Sequence, residues 1–217
     1  MEPLILWCFV SAGLICRFIN RCRGNMLLYI HGFNSSPQSD KGVVTAQYIA
    51  KHFPQLKIIQ PQLPATPEAA MEMLIDLVEQ ALAQGESLRF IGSSLGGYFA
   101  SYLVERYGGR AVLVNPAVKP FELFDEFLGP QYNPYTDQAY QILPEHKLEV
   151  AKYDTPAIQH PDRFLVLLQS GDEVLDYRQA VNKYQCCQML IEAGGDHSFV
   201  GYQQQMEGIC RFLFLDK

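Results

Sequence analysis

Basic residues are few in this 217-residue chain: 17 Lys and Arg stand against 23 Asp and Glu, a net charge of −6. No run of Lys or Arg offsets that balance, which excludes a nucleic-acid surface, whose affinity comes from neutralised phosphates. The six cysteines include no C-x-x-C pair and no Cys/His ligand spacing, so neither a disulfide framework nor a zinc site is expected. Cys186 and Cys187 are adjacent, and on a strand they would point to opposite faces. No Gly-Lys-Ser/Thr phosphate loop is present, and the glycines at 92, 96 and 97 do not have dinucleotide-binding spacing. Internal repeats and low-complexity tracts are also lacking. The residues thus call for no cofactor and no metal.

A long apolar run is missing too. The stretch from Pro3 to Cys16 is about 14 residues, against the roughly 20 a membrane span needs. Glu2 is the one early charge, so the positive start of a signal peptide is absent. Arg17, Arg21 and Arg23 follow the apolar stretch, and if it anchored, they would keep the globular part cytoplasmic. Residues 1–25 are expected to lie outside the fold, with Met26 as the natural start. A short interfacial anchor is the competing reading. Residues 26–217, in a chain that is 48% hydrophobic, suffice for one domain with a sizeable core.

What remains is strongly patterned. "MLLYIH", "LKIIQPQLP", "LRFIG", "AVLVN" (111–115), "RFLVLLQ" (163–169) and "CCQMLIE" (186–192) read as strands, and helical stretches alternate with them. Thr66-Pro67-Glu68 reads as a helix start with a capping hydroxyl. Met71, Leu74, Ile75, Val78 and Leu82 then share one helix face. This alternation predicts an α/β fold, a mostly parallel sheet with helices on both faces. The segment from about 119 to 162, rich in Phe, Tyr and Pro, breaks the rhythm. It is expected to form an insertion over one end of the sheet, either as plain aromatic packing or as the lining of an apolar pocket.

Gly92-Ser93-Ser94-Leu95-Gly96 fits G-x-S-x-G between a strand and a helix, the context of a nucleophile elbow centred on Ser94. A serine hydroxyl needs a base. Of His31, His52, His146, His160 and His197, only those after Ser94 suit the chain order of this arrangement. His197 lies in a Gly-rich loop after the last strand, where it can reach the sheet edge, and is the candidate base. The acid should leave the turn after the strand ending near Gln169. Asp172 is the first choice there, with Asp176 and Glu173 as alternatives; Asp176 also suits a helix N-cap, with Gln179 at capping-box spacing. Backbone N–H groups of Leu95 and Phe33 are the candidate oxyanion donors, with Gly32 allowing close approach. His31 reads as a strand-end residue holding that loop.

"LLYIHGFNSSP", "PQLP", "GSSLGGY", "VNPAVKPFELF", "NPYT", "GDEVLDYRQAV" and "GGDHSFVGY" together resemble the YqiA-type bacterial esterases, small α/β-hydrolases. The resemblance runs from about Met26 to the C-terminus. It implies a cytoplasmic serine esterase without cofactor, acting on short acyl esters or acyl thioesters. Three readings compete with it: a hydrolase-fold protein that binds without catalysis, a peptidase, and a lactonase. Small-molecule acyl esters are the expected partners; nucleic acid and a stable membrane span are not. The oligomeric state is not legible in the residues.

Overall fold

Strand β1 (Asn25–Ile30) shows why this chain makes a layered fold. Its residues alternate between two cores: Met26, Leu28 and Ile30 face one, Leu27 and Tyr29 the other, and all five are buried. A strand buried on both faces must be covered on both. The computed structural model describes residues 24–214, and within them helices lie on each side of one sheet.

The chain continues through α1 (Asp40–His52), β2 (Lys57–Ile59), α2 (Pro67–Ala83), β3 (Ser87–Ser93), α3 (Leu95–Tyr107) and β4 (Arg110–Val114). After an excursion it returns as β7 (Phe164–Gln169), α5 (Tyr177–Lys183), β8 (Gln188–Glu192) and α6 (Tyr202–Phe214). The six strands are all parallel, in the order β2-β1-β3-β4-β7-β8. Helices α2, α3 and α5 contribute to the core that holds Leu28, and α1 and α6 to the core that holds Tyr29. The chain first moves outward from β1 to β2, then returns to the other side of β1 with β3. That reversal opens a crevice beyond the carboxyl ends of β1 and β3, where ligands bind in open α/β sheets.

The excursion after β4 comprises two 3₁₀ turns, an antiparallel hairpin of β5 (Gly129–Asn133) and β6 (Gln138–Ile142), α4 (Pro144–Ala151) and a third 3₁₀ turn (Pro161–Arg163) that leads into β7. It is fastened to the sheet layer by the Tyr98 hydroxyl, which donates to the Val150 carbonyl at 2.7 Å. Phe124, Ile142 and Val150 are buried in the main core, and Tyr132 and Tyr135 are half exposed. Phe124, Ile142 and Val150 meet both sequence expectations for residues 119–162, since they pack in the core and also line an apolar cavity.

Three local expectations need correction. Thr66 precedes α2 as foreseen, but its side chain makes no capping bond; Pro67 at the first position needs no N–H acceptor. Strand β2 is only three residues long, because Pro61 and Pro64 cannot donate to a ladder. Strand β8 begins at Gln188, since the Cys187 N–H is spent on the Tyr184 carbonyl at the end of α5. Strand β1 opens at Asn25, and what was read for residues 1–23 lies outside the described residues. Among the described residues, no helix is long and apolar enough to cross a membrane.

Candidate active site

Ser94 stands between the end of β3 and the first turn of α3, with φ 56° and ψ −122°. A non-glycine residue at positive φ costs on the order of 1–3 kcal/mol and persists only where its surroundings fix it. Here they do: the Ser94 N–H donates to Val114 at 3.0 Å, and its carbonyl accepts from Gly97 at 2.9 Å and Ala117 at 3.1 Å. The flanking glycines are steric necessities. A β-carbon on Gly92 would lie 2.4 Å from the Gly96 carbonyl oxygen, and one on Gly96 would lie 2.0 Å from that of Ile30. The turn is sharp because nothing larger fits.

The sharp turn aims the Ser94 hydroxyl at His197. Oγ and Nε2 are 3.1 Å apart, and Nδ1 on the other side of the ring lies 2.8 Å from the Asp172 carboxylate. With Nδ1–H donating to Asp172, Nε2 is free to accept the hydroxyl proton. Asp172 is itself held, one oxygen accepting from the backbone N–H groups of Val174 and Leu175 at 2.9 and 2.8 Å. The structure thus joins Asp172, His197 and Ser94 in one hydrogen-bonded chain.

The two rival carboxylates have other partners. Glu173 accepts from the backbone N–H of His197 at 3.0 Å, so it braces the loop and does not meet the ring. Asp176 caps α5, accepting from the Arg178 N–H at 3.0 Å, and pairs with the Arg178 guanidinium. That guanidinium holds the Asp176 carboxyl below its ordinary range.

The remaining histidines are also occupied. His31 donates from Nδ1 to the Gly32 carbonyl at 2.9 Å and accepts at Nε2 from the Leu63 N–H at 3.1 Å. Burial lowers its pKa, consistent with that neutral tautomer. His146 accepts from the Leu143 N–H, His160 pairs with Glu105, and His52 stacks on Tyr48.

The loop after β1 approaches the elbow closely: a β-carbon on Gly32 would sit 3.0 Å from the Ser94 β-carbon. Phe33 follows, and it lines the same cavity as Ser94, Leu95 and His197. Among the described residues, neither the Phe33 nor the Leu95 N–H donates a hydrogen bond within the chain. Leu95 is the first residue of α3, so its amide has no intrahelical acceptor. Two amides are therefore left available beside the hydroxyl.

Sequence reasoning missed the residues that hold these parts in place. Asn115, buried at the end of β4 with φ 41°, accepts at Oδ1 from the Gln169 N–H and donates from Nδ2 to the carbonyls of Asp196 and His197. The buried Gln169 side chain accepts from the N–H groups of Asp196 and Val200 and donates to Glu192 and the Val200 carbonyl. These two amides clamp the His197 loop from β4 and β7. Asn34, next to Phe33, is gripped in the same manner: Gln131 of β5 accepts from it and Tyr140 of β6 donates to it. Strand-end position was the one available signal, and it does not separate a clamp from any other polar residue.

Comparison with known proteins agrees with this architecture. The family described as "Uncharacterised protein family (UPF0227)" matches residues 26–214. A UPF0227 protein of Serratia proteamaculans is 26% identical over 196 residues, covering 88% of this chain and 99% of the relative. The UPF0227 protein YcfP of Salmonella gallinarum is 26% identical over 201 residues, with the same coverage. Among solved structures, Est1E from Butyrivibrio proteoclasticus superposes with a TM-score of 0.65 at 14% identity, over 89% of this chain and 88% of that one. The esterase domain of a Rhodothermus marinus protein gives 0.64 at 12% identity, over 87% and 86%. At such identities the likeness shows the fold, that of the α/β-hydrolases.

Proposed function

The chain belongs to the UPF0227 family, and we propose that this member is a serine esterase that hydrolyses short acyl esters or thioesters through an acyl-enzyme. The observation that carries this reading is the chain from Asp172 through His197 to a Ser94 hydroxyl held at positive φ. A binding protein has no use for a strained serine supplied with a base and an oriented acid.

In the proposed reaction, Ser94 Oγ attacks the ester carbonyl while His197 Nε2 takes its proton. Asp172 holds the ring in the required tautomer and stabilises the imidazolium. The amides of Phe33 and Leu95 face the oxyanion, each contributing about 3 kcal/mol to the transition state. His197 then protonates the departing alcohol, and a water deprotonated by the same nitrogen releases the acid. The reading includes a cytoplasmic location, taken from the family resemblance and testable by cell fractionation.

A fluorophosphonate label with peptide mapping tests the proposal. It should land on Ser94 and spare the buried Ser93. Ser94→Ala should lower esterase activity by several orders of magnitude, with Tm nearly unchanged. Labelling of Ser93, or full activity in Ser94→Ala, would sink it; no label at all would favour a non-catalytic binder.

A further inference from the structure

Two cavities meet at Ser94, and their chemistry differs. One, about 240 Å³, runs beneath the excursion between apolar side chains that include Leu63, Phe99, Leu123, Phe124, Ile142 and Val150. The other, about 720 Å³, is bordered by Ser35, Asp40, Lys41, Tyr135, Glu173 and Gln204, with the loop from His197 to Tyr202 along one side. The residues common to both are Gly32, Phe33, Ser94 and His197. These are the oxyanion loop, the hydroxyl and the imidazole, so a carbonyl undergoing attack must sit at the junction. Its two substituents must then enter different environments.

Resting on the esterase reading above, we infer that the substrate joins an apolar acid of short to medium chain length to a neutral, hydroxylated alcohol. The acyl chain occupies the apolar cavity and the alcohol the polar one. Orientation follows from the proton. The ester C–O bond breaks as the alcohol oxygen takes the proton from His197 Nε2, so the alcohol departs on the side where the His197 loop forms the wall. The acyl group stays on Ser94, its chain still in the apolar cavity. Water enters through the emptied polar side, where Asp40, Val200 and Gln204 are exposed to solvent, and gives its proton to His197 as it attacks.

Size and charge narrow the class. At a little under the roughly 30 Å³ a water occupies in the liquid, methylenes would fill the apolar cavity with about eight carbons. The polar cavity carries two carboxylates, Asp40 and Glu173, against one ammonium, Lys41. Lys41 Nζ already donates to the Ser198 carbonyl at 2.8 Å. A phosphorylated leaving group such as coenzyme A would meet net negative charge there, and like charges juxtaposed in a site select against a ligand. A polyol carries no charge to be repelled and finds donors and acceptors in Ser35, Ser39, Tyr135 and Gln204, beside apolar wall from Val44 and Val200.

A pair of mirror-image esters tests this with the full chain: 1-hexanoylglycerol, whose acyl part is apolar, and hexyl glycerate, in which the same groups are exchanged across the ester. Hexanoyl-coenzyme A is the third substrate. The expected result is kcat/KM at least tenfold higher for hexanoylglycerol than for either of the others. Ile142→Trp should shift the preferred acyl chain shorter without changing the alcohol preference. Phe124→Ala should shift it longer, which covers the case in which the tryptophan does not fold. Asp40→Lys should narrow the gap to the thioester at least threefold. Equal or higher rates on hexyl glycerate overturn the orientation, and higher rates on the thioester overturn the charge selection. Turnover of p-nitrophenyl butyrate that disappears in Ser94→Ala keeps the esterase reading even then. No turnover of any ester removes both.

Discussion

Asp172 and Asp176 are four residues apart, and the same carboxylate does different work in the two places. Asp172 meets the imidazole at 2.8 Å, whereas Asp176 ends a helix and holds an arginine. Asp172→Asn should fold normally and lose on the order of 10⁴-fold in kcat, because the histidine tautomer is no longer fixed. Asp176→Ala should keep most of its activity and lose a few degrees in Tm, as a missing cap does. Kinetics and melting curves on both variants decide between them. An inactive Asp176→Ala with an active Asp172→Asn reverses the assignment.

Lys183 is a residue-scale effect of another kind. Its side chain is 5% exposed and its Nζ lacks a hydrogen-bond partner among the described residues, with Asp154 at 3.8 Å and the rings of Tyr98 and Tyr184 beneath it. Burial pushes its pKa down from 10.5 to about 8. Between those two values the unfolded chain binds the extra proton, so this group makes stability rise with pH from about 8 to 10.5. Below pH 8 the full penalty of a buried ammonium is present. Lys183→Met should therefore stabilise the fold at pH 7 by on the order of 1–3 kcal/mol. The gain should fade as the pH passes through that window. Denaturant titrations at pH 7 and pH 10 measure it, and a gain that does not shrink contradicts the charge explanation.

At the scale of elements, the hairpin β5-β6 is a support for the loop after β1. Tyr140 and Gln131 hold Asn34, while Phe127 and Tyr140 pack edge-on against the Phe33 ring. Tyr140→Phe retains the ring packing and removes the hydrogen bond. If the Phe33 amide must be held in place, kcat should fall about tenfold with Tm and KM little changed. An equal fall in Tm and kcat would instead mark a purely structural bond.

Elements were also where the sequence was easiest to read. Apolar runs such as Leu27 to Ile30 and Phe164 to Leu168 marked buried strands, and glycine placement marked the elbow. The hairpin was not legible, because burial alternates along β5 while its more buried positions are Gly129, Gln131 and Asn133, so no alternation of apolar residues marks the strand. Ser94, Asp172 and His197 could be picked out because motif, strand end and chain order each restrict the choice. Asn115 and Gln169 could not, because a clamp is defined by its partners, here 23 to 82 positions away in the chain.

For the molecule as a whole, the family match and β1 both open at the start of the described chain. A protein beginning at Met26 should fold and hydrolyse p-nitrophenyl butyrate as the longer form does. Lost activity or a lower Tm in that protein would mean that the first 25 residues contribute to the fold.

The parallel order of the six strands also bears on how the molecule reaches its working state. A parallel pair cannot form by a local hairpin, so every neighbouring pair in this sheet waits for a crossover, and such contacts come slowly. Ser94 and His197 are separated by 103 positions, and their meeting requires β3, β4, β7 and β8 to be seated in that order. Helices such as α3 can form long before that. During refolding, helical signal should therefore return ahead of catalytic competence, and the reappearance of ester turnover times the docking of β8 onto β7.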